Sequence, residues 1–243
     1  MILLDCGNSS LKAQRWDSAR LQASFASSYD ADWQRRLAHW LDRNPATECY
    51  QSSVLDFERQ SRLDDCLAKF GANLIRFEST ADAGGVINGY RQPERLGVDR
   101  WLALVGAADL VDGDCMVIDA GSAITLDLLL ADGRHLGGAI LPGLCTSAER
   151  FRQIFSHIDF NDPQIAANSE SGCSTEAAIQ IDYPLDSIGR LRELVTSWMQ
   201  LLDHDASILL AGGDAPGVQE SLGRPARIVP ELVFRGMSRL VAG

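Results

Sequence analysis

"ILLDCGNSSLKAQRW", Ile2–Trp16, sets the terms on which the chain is read. An apolar run breaks at Asp5 into a polar turn containing Gly7, Asn8, Ser9 and Ser10, then resumes at Leu11 and meets Lys12. Two short apolar runs separated by such a turn predict a β-hairpin. A hairpin needs a turn, but it does not need a carboxylate, a glycine and three small polar side chains in one place. Close to half the chain later the pattern returns in "MVIDAGSAITLDLLL", Met116–Leu130. Both stretches read apolar-apolar-Asp-x-Gly, then Asn or Ser, then Ser or Ala, and both lead into a second strand. Repetition on this scale indicates duplication of a whole β-β-β-α-β-α unit.

The flanking sequence fills in that unit. A third strand is predicted near Leu21–Ala26. Trp33, Leu37, Trp40 and Leu41 recur at helical spacing, which predicts a helix over Asp32–Leu41 with Asp30 or Asp32 near its cap. A strand around Glu48–Ser52 follows, then a helix from about Asp56 to Phe70 stopping at Gly71, then a strand at Leu74–Phe77. "ADAGGVINGYRQPERLGVDR", Ala81–Arg100, is a long polar connection, unusual inside a compact domain unless it has a task. A helix is predicted over Arg100–Leu110. The second copy then runs strand, turn, strand, turn at Asp132–Gly133, strand. Helices are expected to open at Pro142–Gly143 and to cover about Thr175–Leu202. "SILLAGG", Ser207–Gly213, is a strand entering a double-glycine turn. Arg227–Val229 is a short strand, and Pro230–Val241 a closing helix with proline in its first turn.

Bulk properties narrow the function. The 243 residues suffice for one large domain or two modest ones, and 46% hydrophobic with 23% charged residues is an ordinary globular composition. A net charge of −11 excludes a broad nucleic-acid footprint, which needs basic patches facing phosphates, but does not exclude a nucleotide in a local pocket. The six cysteines form no C-x-x-C pair and no zinc-ligand cluster, so reduced thiols in a cytoplasmic protein are expected. The start turns polar at residue 5 without a basic leader, so no signal peptide is expected. No apolar stretch approaches the roughly 20 residues that span a bilayer, so no membrane association is expected.

The chemistry lies in the turns. Glycine lets backbone N–H groups approach phosphate oxygens closely, and hydroxyl and amide side chains add donors. The aspartate would repel phosphate directly, and its natural role is to hold a hydrated Mg²⁺ that bridges the two. Lys12 would return to the phosphates along the second strand. Two such turns suit a nucleotide clamped between two halves, a solution distinct from the P-loop, whose motif does not occur here.

The ordered set Asp5-x-Gly7-Asn8-Ser9-x-x-Lys12, Gly97-Val98-Asp99-Arg100, Asp119-x-Gly121-Ser122-Ala123-x-Thr125, Gly137-Gly138-Ala139-Ile140-Leu141-Pro142-Gly143 and Gly212-Gly213 resembles the type III pantothenate kinases. These belong to the acetate and sugar kinase/Hsp70/actin superfamily. Pro230-Glu231-Leu232 with Gly236 is similar to the family's closing segment. The resemblance implies an α/β fold of two duplicated ribonuclease H-like (actin-like ATPase) halves, each a mixed five-stranded sheet flanked by helices. The first half is expected over residues 1–110, with the last helix, 230–243, packing back on it, and the second over 111–229.

The resemblance also implies phosphorylation of pantothenate by ATP, the first step of coenzyme A synthesis. Mg²⁺, a monovalent cation (K⁺ or NH₄⁺) and a homodimer with an active site shared between chains come with it. Asp5, Cys6, Gly7, Asn8, Ser9, Ser10, Leu11 and Lys12 would form the ATP phosphate turn, with Asp5 holding Mg²⁺ through water. Ser122 would contact ATP, and Asp119 would ligate the monovalent cation. Tyr90, Gly97, Val98, Asp99 and Arg100 would line the pantothenate pocket with Thr175, and Asp99 would be the catalytic base. Ser9 and Ser122 stand where threonine is usual, Gln92 where asparagine usually precedes the proline, and a glycine usual after the Thr175 motif is missing.

Bland roles compete at several positions. Asp99 opens a helix and would serve there as an N-cap; the helix N-terminus and Arg100 are expected to keep it ionised. Phosphoryl transfer tolerates this, because its loose transition state needs proton removal only late. Arg100 presents a fork suited to the pantothenate carboxylate or to a surface ion pair. Gly212-Gly213 is either an approach to adenine or a tight turn. His39 and His204 read as surface residues, and His157 is a candidate for the substrate pocket. The tryptophans read as core. Two rival functions stand beside the kinase: an accessory protein acting on transcription through partners, and a kinase for another small alcohol or carboxylate. Intact Asp5, Lys12, Asp99, Arg100 and Asp119 argue against the first.

Overall fold

The structure is a computed structural model, and it describes residues 1–17, 20–144, 146 and 185–242. The opening hairpin is β1 (Ile2–Cys6) and β2 (Ser10–Asp17), paired antiparallel from Ile2 opposite Arg15 to Cys6 opposite Leu11. β3 (Arg20–Ser28) extends it along the free edge of β2. After α1 (Trp33–Arg43), β4 (Glu48–Ser53) returns parallel to β1. After α2 (Phe57–Phe70), β5 (Asn73–Arg76) joins parallel to β4. The sheet order is β3-β2-β1-β4-β5.

Local signals explain these elements. α1 buries Trp33, Leu37 and Leu41, one face at a spacing of four. α2 begins where the Asp56 carboxylate accepts the Arg59 N–H at 2.8 Å and ends where Gly71 turns left-handed at φ 75°. Alternate residues of the hairpin, Ile2, Leu4, Cys6, Leu11 and Ala13, pack with Trp33, Leu37, Leu41, Leu63 and Leu67 in one buried cluster. Leu3 and Asp5 therefore face the other side of the sheet.

The long polar connection is more structured than its composition suggests. It contains a small hairpin, β6 (Asp82–Ala83) and β7 (Val86–Ile87), and one 3₁₀ turn at Pro93–Arg95. Buried Asn88 organises it: the side-chain amide donates to the carbonyls of Thr80 and Pro93, and its oxygen accepts the Tyr90 N–H. The helix that follows, α3 (Val98–Ala108), starts two residues earlier than expected, with Gly97 rather than Asp99 at its N-cap.

The second copy folds into β8 (Cys115–Ala120), β9 (Ala123–Leu129), β10 (His135–Pro142), α4 (Leu185–Trp198), β11 (Ser207–Ala211), α5 (Ala215–Leu222) and β12 (Arg227–Ile228). Its sheet order is β10-β9-β8-β11-β12, with β8, β11 and β12 parallel. Counted within each copy, both sheets run third, second, first, fourth, fifth. After Pro142–Gly143, Leu144 and Thr146 are helical; the rest of the helix expected there and the start of the one expected at Thr175 fall outside the described residues, as do Cys145, His157, Cys173 and Thr175.

The closing helix, α6 (Leu232–Ala242), begins after a turn that contains Pro230 and Glu231. Glu231 is held there by the side-chain amide of Gln14 on β2, and its carbonyl accepts the Arg235 N–H. α6 packs on α3 with almost no space between backbones. A Cβ on Gly236 would lie 2.7 Å from the carbonyl carbon of Leu102, and one on Gly106 would lie 3.0 Å from the nitrogen of Gly236. The described residues form two compact units, one from Met1–Asp112, Asp127–Gly137 and Glu231–Gly243, the other from Gly113–Leu126 and Gly138–Pro230. Cys6, Cys49, Cys66 and Cys115 are free and buried. Trp33 and Trp101 are core, while His39 and His204 are exposed. Among the described residues, no helix is long and apolar enough to cross a membrane.

Candidate active site

The first turn is closed by the Gly7 N–H donating to the Ser10 carbonyl at 3.1 Å, which leaves Asn8 and Ser9 exposed at the tip. Arg59 of α2 donates to the Asn8 carbonyl at 2.8 Å and fixes the loop against the helix. Lys12 stands directly opposite Asp5 in the hairpin, and Ser52 stands opposite Asp5 on β4. Direct partners share a face of a sheet, so Lys12, Asp5 and Ser52 form a row across three strands. Cys6 points the other way into the core; burial, then the charge of Asp5, pushes its thiol well up, so it stays protonated. Cys6 serves the loop through its carbonyl, which accepts the Val54 N–H.

The second turn is tighter, with the Gly121 N–H donating to the Ala123 carbonyl at 3.0 Å. Two further glycine turns of the same unit close on it. The Gly143 N–H and the Thr146 hydroxyl both donate to the Ser122 carbonyl, at 3.1 and 2.7 Å. Gly212, at φ 89°, lies so close that a Cβ there would sit 2.6 Å from Oδ1 of Asp119 and 2.5 Å from the Ala120 carbonyl carbon. No side chain fits, and the left-handed φ also favours glycine. Asp119, Ser122, Gly143, Thr146 and Gly212 are thus brought together from separate stretches of sequence.

Asp99 lies half-buried in the first turn of α3, its Oδ1 accepting the Arg100 N–H at 2.8 Å. Burial pushes its carboxyl above the ordinary aspartate range; the Arg100 N–H and guanidinium pull it down, and the charge of Asp127 adds to the rise. Arg100 thus pulls in the expected direction, but burial outweighs it. Arg100 has less charge to lend than the sequence implies, because it is already neutralised. Its guanidinium is 6% exposed and doubly bonded to Asp127, Nε to Oδ2 at 2.8 Å and Nη2 to Oδ1 at 2.6 Å, while Nη1 donates to the Tyr90 hydroxyl at 2.8 Å. Beside them, Gly97 and Val98 border an open cavity of about 510 Å³ with Ser53, Phe77 and Ser79.

Asp127 and His135 escaped the sequence reading. Asp127 sits in "ITLDLLL", where one carboxylate in an apolar strand reads as its solvent side, and His135 follows an unremarkable Asp-Gly turn. Both are buried, and His135 Nε2 lies 2.8 Å from Asp127 Oδ1. A charged residue inside an apolar strand was the available signal, since a buried charge needs a partner.

Residues 1–196 match the family model described as type III pantothenate kinase. A type III pantothenate kinase from Pseudomonas aeruginosa (strain LESB58) is 37% identical over 98% of both chains. One from Azotobacter vinelandii is 34% identical over 98% of this chain and 97% of its own. Among solved structures, a Campylobacter jejuni protein named for the Baf family of transcriptional activators covers 100% of this chain and 98% of its own, with TM-score 0.59 and 21% identity. The activator of 2-hydroxyisocaproyl-CoA dehydratase from Clostridium difficile, with ADPNP bound, covers 99% and 93%, with TM-score 0.51 and 14% identity. These two likenesses are of fold alone, an α/β fold of two mixed five-stranded sheets flanked by helices. The chain belongs to the type III pantothenate kinases, and its reaction is the ATP-dependent phosphorylation of pantothenate that opens coenzyme A biosynthesis.

Proposed function

We propose that Asp99 is the catalytic residue of this kinase. It orients the primary hydroxyl of pantothenate and takes its proton as the oxygen bonds to the γ-phosphorus and the bond to the departing ADP oxygen breaks. The observation that carries this reading is the placement of Asp99: a half-buried carboxylate at a helix start, pushed up by burial and next to Arg100, whose guanidinium donates to the Tyr90 hydroxyl. A raised pKa makes a better proton acceptor, and the loose transition state asks for it late. Tyr90, Gly97, Val98 and Arg100 bind pantothenate, with Thr175 as a further contact. Asp127 already fills the Nε edge of Arg100, so the substrate meets the remaining N–H groups rather than the whole fork.

The first turn, Asp5 to Lys12, binds the phosphates of ATP through its backbone N–H groups and Lys12. Ser122 contacts ATP from the second turn. Among the described residues no group of three or more His, Cys, Asp or Glu could hold a metal by itself. Asp5, one half-buried carboxylate, fits Mg²⁺ as it travels with a nucleotide, held by one carboxylate, water and phosphate oxygens. Asp119, among backbone carbonyls, offers the oxygen donors that suit K⁺ or NH₄⁺. Both cations supply charge neutralisation at the phosphates. The working molecule is a homodimer whose chains share the active site, its halves divide near residue 111 with the last helix returned to the first, and it acts in the cytoplasm.

The test is ADP release with ATP, Mg²⁺ and pantothenate, in K⁺ and in Na⁺, for wild type and Asp99→Asn. Turnover should need pantothenate, be feeble in Na⁺, and fall by about 10²-fold or more in the variant. Near-full turnover of Asp99→Asn would remove Asp99 from the chemistry, and indifference to the cation would remove Asp119 from its role.

A further inference from the structure

Asp127 on β9 and His135 at the head of β10 take no direct part in the phosphoryl transfer, yet their side chains are only 3% and 0% exposed. A carboxylate that deep is tolerable only if its partners satisfy it. Its Oδ2 accepts Arg100 Nε, and its Oδ1 accepts both Arg100 Nη2 and His135 Nε2. The Gly89 N–H points at His135 Nδ1 at 3.4 Å, so Nδ1 is the acceptor and Nε2 carries the proton given to Asp127. The imidazole stacks on Tyr90 at 5.9 Å between centroids and 16° between planes. The Arg100 guanidinium stands 5.6 Å from the centre of the same ring and donates to its hydroxyl. Asp127, Arg100, Tyr90 and His135 thus close a ring of contacts.

We infer that Asp127 and His135 are positioning residues for pantothenate, holding Arg100 and Tyr90 in the one arrangement that presents both to the substrate. The inference rests on the reading of Arg100 and Tyr90 as pantothenate contacts. Arg100 carries five N–H donors, and three are spent inside the ring. What remains is one N–H on each Nη, so Asp127 decides which end of the guanidinium faces outward. Tyr90 lies on a connection, where side chains are least well held, and the stack on His135 gives it the support of a strand. Asp127 also cancels the charge of Arg100, so a carboxylate substrate is recognised by directed hydrogen bonds rather than by net charge.

The experiment measures kcat and the KM values for pantothenate and for ATP in His135→Ala, His135→Gln, Asp127→Asn, Arg100→Lys and the double variant His135→Ala/Arg100→Lys. His135→Ala and Asp127→Asn should each raise KM for pantothenate about tenfold, since small misplacements of binding groups cost factors of this order, with KM for ATP unchanged. His135→Gln keeps a donor toward Asp127 and should recover much of the loss. In the Arg100→Lys background, His135→Ala should add less than about twofold, because it acts through a group already altered. If Asp127→Asn does not fold, the histidine series decides alone. Arg100→Lys raising KM while the folded His135 variants leave it unchanged would overturn the positioning role and leave Arg100 as a contact. Multiplying effects in the double variant, or equal loss for both substrates, would overturn it as well. An inert Arg100→Lys would overturn the contact reading and this inference together.

Discussion

Gly236→Ala pits two opposite expectations against each other. Helix propensity says that alanine in the middle of α6 stabilises by about 1 kcal/mol relative to glycine. The α3–α6 crossing says the reverse. The new Cβ would sit 2.7 Å from the Leu102 carbonyl carbon, where carbon atoms ordinarily meet at about 3.5–4.0 Å. α6 would have to retreat by about 1 Å, and the obstacle is backbone within a helix, which cannot rotate aside. Retreat opens the packing along buried Leu232, Val233 and Met237, where a gap of 0.5–1 Å forfeits about a quarter to a half of each contact. Over-packing costs about 1–3 kcal/mol, and an unyielding obstacle belongs at the upper end. The net loss is about 2 kcal/mol, a fall in Tm of about 4–8 °C for a chain of this size. Because α3 carries Asp99 and Arg100, KM for pantothenate should rise in the same variant. Gly189→Ala is the control: Gly189 lies within α4, and a Cβ there would meet nothing within 4 Å, so propensity acts alone and Tm should rise by about 2–4 °C. A Gly236→Ala protein as stable as wild type in a thermal melt would refute the reasoning.

Other perturbations test separate parts of the structure. Because burial raises the Asp99 pKa in the fold, its favourable contribution belongs to low pH and is lost as pH rises through the folded value. Asp99→Asn should therefore melt higher than wild type at pH 7, the gap closing toward acid, while a lower Tm at pH 7 would contradict the burial argument. In wild type, kcat/KM for pantothenate should fall on the acid side with an apparent pKa above the ordinary aspartate value of 3.8, and a limb at or below it would count against Asp99 as base. Gly212→Ala would drive a methyl against the Asp119 carboxylate, so cation activation should weaken while KM for pantothenate holds. Asp56→Ala removes the α2 cap and should cost about 1 kcal/mol in a denaturant titration without touching turnover; no loss would mean that the cap bond contributes nothing.

What could be read from sequence and what could not separates by range. The twin hairpins, the face of α1, the start of α2 near Asp56 and the Gly71 stop were legible, because each depends on residues a few positions apart and on fixed periods of two or 3.6. The Asp-x-Gly turns were legible too, since their polar side chains and carboxylate lie side by side in the chain. The α3 start moved to Val98, and Asn88 organised a connection that composition alone made formless, because its partners at Thr80 and Pro93 bracket it from outside the local pattern.

The sequence by itself therefore determined the duplicated α/β architecture, the family and the two Asp-x-Gly turns. Tertiary structure decided what the charges do. Arg100 and Asp127 are 27 residues apart, and nothing local tells that one fills the other's fork. The same packing sets the acidity of Asp99, because desolvation is a property of everything that surrounds a group rather than of its neighbours in the chain. Gly106 with Gly236, and Gly212 with Asp119, are likewise pairs whose meaning exists only once distant backbones touch.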